Sequence, residues 1–195
     1  MLIYMNKSFD FYFDFISPYS YIAFKKIKYL DQIEINYKPI LLGGLHKLGG
    51  ITAPAFNKRK MKNMKNDCEL IAKKNNIEFT WNDKFPINSL SLMRGYLLID
   101  QKFKKEYFEN CFDAYWKENL DISKDINLDN ILKKSGIDKD NFYTKIKDLK
   151  IKNELINLTN LAFEKDIFGA PTFVVNNKIF WGQDRLDYAL DEYHS

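Results

Sequence analysis

Ser17 and Pro18 are the residues best placed to do chemistry. In FDFYFDFISPYSYIAF, residues 9–24, an apolar run reaches Ser17-Pro18, and from Tyr19 onward the apolar spacing turns helical. Proline is favoured at the first helical position because its missing N–H is not needed there, and serine just before it suits an N-cap. A well-made helix start accounts for both residues. The same geometry has a chemical use: the unpaired N–H groups and partial positive charge of a helix N-terminus stabilise an anion or a thiolate. A hydroxyl placed there can donate a hydrogen bond to that anion. No histidine or lysine base stands nearby in sequence, so Ser17 is a hydrogen-bond donor here rather than a nucleophile.

A second proline, Pro171 in FGAPTFVV (residues 168–175), immediately precedes a β-rich run. Such a bond is either a trans lead into the strand or a cis bond kept for a purpose. Asp184, near the start of a closing helix, is a first-turn acid or a partner for a ligand's ammonium. Cys68 and Cys111 form no Cys-x-x-Cys, and the only histidines are His46 and His194, so no metal site is expected. Cys111 falls in the stripe Phe103, Tyr107, Phe108, Cys111, Phe112, Tyr115, Trp116, whose helical spacing makes it a core residue.

The elements that must position these residues follow from the pattern. A strand is expected over 9–15, an amphipathic helix over 19–30 and a strand over 33–41, which together make a βαβ unit with parallel strands. LLGGLHKLGG (41–50) has the look of a glycine-rich turn leaving the sheet. Helices are expected over 57–75, 88–101, 104–119, 127–135, 139–147 and 152–166, with WNDKFPINS as a turn-like break. PTFVVNNKIFWG makes a hairpin turning at Asn176-Asn177, and QDRLDYALDEY a closing helix.

Composition narrows the function classes. With 46% hydrophobic and 16% aromatic residues, the chain supports an extensive core and is not disordered. The charge of +4, from 30 basic and 26 acidic residues, is spread as lysines along the chain, without the stripe of a nucleic-acid binder. Lys58-Arg59-Lys60 with Lys62 and Lys65 is the densest cluster and makes a solvated helix face. The N-terminus, running through Asn6-Lys7 into the first strand, lacks a signal-peptide core. No apolar run reaches transmembrane length, so a soluble cytoplasmic protein with no membrane partner is expected.

Taken together, the order βαβ, helices, αββα resembles the thioredoxin fold with a large α-helical insertion, as in DsbA-like proteins. There a Cys-x-x-Cys begins the first helix; here Ser-Pro-Tyr-Ser, Ser17 to Ser20, holds that place. The resemblance sharpens to the 2-hydroxychromene-2-carboxylate isomerase family and the related kappa-class glutathione transferases. Their signatures look like YFDFxSPYSY, FPxNSLxAMR and FGAPTFxVxxxxFWGQDRLD. The chain has FYFDFISPYSY, FPINSLSLMRG and FGAPTFVVNNKIFWGQDRLD. The fold class implied is α/β, with residues 1–50 and 152–195 forming a discontinuous thioredoxin-like domain and 51–151 an inserted helical domain.

The resemblance also implies a site. Glutathione would be the cofactor, its thiol activated by Ser17 and its other contacts made by Pro18, Tyr19, Ala170, Pro171, Trp181, Gly182, Gln183 and Asp184. Its backbone would pair with Ala170, before a cis Pro171, as an added strand does. Its γ-glutamyl end would meet Trp181 to Asp184. The implied reaction is isomerisation of a small aromatic electrophile by reversible thiolate addition, in a homodimer. Alternatives are glutathione transfer to another electrophile, DsbA-like thiol–disulfide exchange, and binding without catalysis. Substrate contacts fall to Asn88 and to His46 or Lys47, one of which matches a family lysine that holds the substrate carboxylate. One departure stands out: the family's Thr/Ser-Gly-Asn loop corresponds here to Gly49-Gly50-Ile51, so its asparagine contact is missing or supplied elsewhere.

Overall fold

Strand β1, Phe9–Phe13, runs through the middle of the sheet, and all but one of its residues are buried. Phe9, Phe11 and Phe13 are fully buried on one side, and Tyr12 is buried on the other among Ile40, Leu45, Ala162 and Ile167. This is the alternation that a strand's two-residue period demands. β1 pairs in parallel with β2 (Ile35–Pro39) and antiparallel with β3 (Thr172–Val175), which pairs antiparallel with β4 (Lys178–Trp181). The order is β2-β1-β3-β4. Helix α1, Pro18–Ile27, makes the crossover between the two parallel strands. Asn176 and Asn177 turn the β3–β4 hairpin with φ of 49° and 62°, the left-handed pair that a two-residue hairpin requires. The computed structural model describes residues 8–30 and 32–195; the N-terminal stretch read as lacking a signal-peptide core lies outside these.

One expected element is corrected. LLGGLHKLGG is a helix, α2 (Leu42–Leu48), followed by a short loop, rather than a turn throughout. Each interior glycine costs a helix about 1 kcal/mol, and tertiary contacts outweigh that cost here. The Asp14 carboxylate accepts the Leu42 N–H (2.8 Å), and Leu45 is fully buried. Gly44 lets α2 lie close to helix α8, Leu149–Glu164: a side-chain carbon there would come within 3.1 Å of Thr159 Cγ2.

The remaining helices follow the sequence pattern, with ends displaced by a few residues at most: α3 Lys58–Lys74, α4 Leu90–Leu98, α5 Gln101–Trp116, α6 Asp125–Lys134 and α7 Lys139–Lys145. The closing segment begins as a 3-10 turn, Gln183–Arg185, before α9, Leu186–His194. Helix α5 drives aromatic rings into the sheet. The Phe13–Phe108 centroids lie 4.7 Å apart and Phe15–Phe112 4.9 Å, both edge to face. Such pairs add about 0.5–1.5 kcal/mol each beyond their buried area. The Trp116 indole N–H donates to the Phe15 carbonyl at 2.9 Å, fastening the insertion to the chain two residues before Ser17. Among the described residues, no helix is long and apolar enough to cross a membrane.

Candidate active site

Ser17 is the N-cap of α1, with Pro18 as the first helical residue. Its Oγ accepts the Ser20 N–H (3.1 Å) and donates to the Ala170 carbonyl oxygen (2.9 Å). That second bond joins the corner after β1 to the loop before β3. The Ala170-Pro171 bond is cis, as the motif led us to expect, and Phe85-Pro86 is cis as well. Ala170 N–H finds no hydrogen-bond partner among the described residues.

A cavity of about 560 Å³ opens at this corner. Ser17, Pro18 and Ala170 line it, as do Phe168 and Trp181, whose rings lie 4.9 Å apart. Gly169 gives the indole room, since a side-chain carbon there would sit 2.5 Å from Trp181 Nε1. The cavity is also walled by Leu42, Gly43 and His46 of α2, by the Ile51–Phe56 segment, and by Phe85, Pro86 and Ile87. Most of this lining is apolar, and its buried charge is Asp14, 1% exposed.

Asp14 escaped the sequence analysis. An acid among phenylalanines at the end of a buried strand is the signal that could have found it. Its carboxylate accepts the Ile16 N–H (3.1 Å) and the Leu42 N–H (2.8 Å), with the Ser89 hydroxyl as a third donor. It thereby ties together the β1–α1 corner, the start of α2 and the residue before α4. Burial pushes its pKa up, and the three donors oppose that rise.

Of the residues picked out in the sequence, Ser17, Pro18, Tyr19, Ala170, Trp181, His46 and Asn88 line the cavity together. Pro171, Gly182, Gln183, Asp184 and Lys47 do not line it. Gly182 donates its N–H to the Pro171 carbonyl (3.0 Å), the buried Gln183 accepts from Lys26 Nζ (2.6 Å), and Asp184 is exposed and paired with Arg185 (3.4 Å). These three follow Trp181 directly in the chain without lining the cavity. Tyr19 donates its hydroxyl to Asp67 Oδ2 (2.8 Å), and burial first, then that carboxylate, holds the phenol's pKa well above its usual value. It therefore stays neutral and braces α1 against α3. Between His46 and Lys47, only His46 faces the cavity; Asn88 Oδ1 accepts the Leu90 N–H (2.9 Å) at the mouth.

Neither cysteine is placed for chemistry. Cys68 and Cys111 are both fully buried in helices, and burial pushes both thiols' pKa values far up, leaving no thiolate at neutral pH. The expected result is no acceleration of insulin reduction by dithiothreitol, followed by turbidity. Acceleration that vanished on Cys68→Ala or Cys111→Ala would move the chemistry away from Ser17.

A four-stranded thioredoxin-type sheet, a helical insertion and a cavity corner headed by serine define the class of protein. Residues 9–194 match the DSBA-like thioredoxin domain, and the chain belongs to that family. Within it, the chain is 29% identical over 194 residues to the 2-hydroxychromene-2-carboxylate isomerase of Sphingobium xenophagum, covering 97% of this chain and 98% of that protein. It is 28% identical over 202 residues to glutathione S-transferase kappa 1 of Caenorhabditis elegans, covering 93% and 88%. A solved structure of 2-hydroxychromene-2-carboxylate isomerase superposes with a TM-score of 0.84 at 25% identity, covering 94% of this chain and 92% of that one. The fold class and the family resemblance read from the motifs both hold.

Proposed function

We propose that this protein is a cytoplasmic, homodimeric, glutathione-dependent isomerase of the 2-hydroxychromene-2-carboxylate isomerase kind, acting on a small aromatic electrophile. One observation carries the proposal: the Ser17 hydroxyl stands at a helix N-terminus, against the Ala170 carbonyl, in a cavity that none of the chain's own thiols reaches. The residues present fit glutathione. A volume of about 560 Å³ lies within the usual range for small-ligand sites, roughly 300–1,000 Å³. The unpartnered Ala170 N–H can pair with an extended peptide.

Bound glutathione supplies the thiol nucleophile that the chain lacks. Ser17 would donate a hydrogen bond to the sulfur while keeping its proton, and the first turn of α1 would add partial positive charge. Helix N-termini and nearby donors of this sort bring a thiol pKa from about 8.5 to roughly 3.5–7.5. Ala170 and Pro171 align the peptide; Pro18, Tyr19 and Trp181 enclose it. Asp184 meets its ammonium group beside Gly182 and Gln183. His46 and Asn88 face the electrophile. A second reading, kappa-class-like glutathione transfer to another electrophile, is favoured by Ile51, which lines the cavity in the loop where the resembled family carries asparagine.

Calorimetric titration with glutathione, followed by turnover assays, tests both. Turnover of 2-hydroxychromene-2-carboxylate is expected to require glutathione without consuming it. Consumption of glutathione with an aryl halide, and no isomerisation, would replace the first reading with the second; absence of glutathione binding would overturn both.

A further inference from the structure

Helix α8 packs against α2, α4 and β2, and it buries Leu155, Thr159 and Ala162. Its outward side carries a second apolar row. Leu149, Ile156 and Phe163 recur at every seventh position, two turns apart, so they stack along one line of the helix. They are 69%, 43% and 37% exposed. Asn153 and Asn160, each four places after a member of that row, fill its gaps and are exposed as well. A lone exposed apolar residue is ordinary, but three in register along about 21 Å of one helix form a seam.

The seam is complementary to itself when a second copy crosses it antiparallel. A two-fold axis at Ile156 sets Leu149 against Phe163 of the second copy, and Ile156 against its own counterpart. It also sets Asn153 beside Asn160 of the second copy, and a carboxamide is both donor and acceptor, so the pair satisfies itself. Lys150 and Glu164, fourteen apart and therefore also in line, flank the seam and are exposed. Neither side chain has an ion pair or hydrogen bond among the described residues. The same axis brings each Lys150 to the other copy's Glu164, giving two opposite-charge pairs. A parallel arrangement would instead set lysine against lysine and glutamate against glutamate.

We infer that the outward face of α8 is the surface through which two copies of this chain associate, antiparallel about an axis at Ile156. The inference rests on the homodimeric reading proposed above and supplies the surface for it. The asparagines fix the register, since a slip by one turn would set a carboxamide against an apolar side chain.

Sedimentation equilibrium of the full chain reads the dimer dissociation constant. Wild type should be a dimer. Ile156→Lys puts two ammonium groups face to face at the axis and should raise that constant roughly hundredfold. The position is exposed, so the far-ultraviolet circular dichroism should not change. Lys150→Glu or Glu164→Lys alone turns both charge pairs into repulsions and should raise the constant roughly tenfold. The two together restore opposite charges and should return it close to the wild-type value. A dimer indifferent to Ile156→Lys, or a double exchange no tighter than the single ones, would overturn this surface and leave the homodimeric reading standing. A wild-type chain that stays monomeric would overturn the homodimeric reading itself, and this surface with it.

Discussion

Ser17→Ala should raise the pKa of the bound thiol and cut turnover roughly ten- to hundredfold. The figure follows from losing a hydrogen bond to a charged group, about 1.5–3 kcal/mol if fully expressed in the transition state. Ser17 has a single proton to give, and without ligand it goes to the Ala170 carbonyl. A bound sulfur anion is the stronger acceptor, so the hydroxyl turns to it while still accepting the Ser20 N–H. The same substitution removes the N-cap of α1, which costs about 0.5–2 kcal/mol of stability. The two roles separate in measurement. Thiolate absorbance of bound glutathione followed against pH reports the first, and thermal unfolding the second. A lowered melting temperature with identical titration curves and rates would leave Ser17 as a helix cap alone.

Asp14→Ala should produce the largest loss of stability at the site. It leaves the half-buried Ile16 and Leu42 N–H groups without their acceptor, at about 1 kcal/mol each. In a chain of this size, each kcal/mol lowers the melting temperature by about 2–4 °C. Hydrogen exchange at the Leu42 amide should speed up well before global unfolding, because α2 loses its anchor to β1. The pH dependence has a definite sign. Burial raises the Asp14 pKa above its ordinary 3.8, so the native state holds this proton more tightly than the unfolded chain does. The resulting stabilisation is full below 3.8 and is lost as pH rises through the folded-state value. Wild type should therefore exceed the alanine variant by most in acid, with the gap narrowing as pH rises. A melting temperature unchanged by the substitution, or a gap that widens with pH, would sink the role given to Asp14.

Much of this protein was decided within short stretches of chain. Ser17-Pro18 makes a helix start because a cap and a first-turn proline act within four positions. Asn176-Asn177 makes the hairpin because two left-handed residues match the twist of the strands. Phe9, Phe11 and Phe13 select one face of β1 by period alone, and the stripe through Phe108 and Phe112 does the same for α5. Other features had to wait for the tertiary structure. The glycines of α2 argue locally against a helix, and it forms because Asp14, 28 positions earlier, accepts its first amide. His46 and Lys47 are neighbours in sequence but lie about 100° apart around that helix. Only its packing on α8 turns the histidine toward the cavity and the lysine away. Ser17 and Ala170, 153 positions apart, meet because β1 and β3 pair side by side and bring the corner after one to the loop before the other. Caps, turns and periodicities are short-range and show in the letters of the chain, whereas a cavity is the space left between elements and exists only once they have packed.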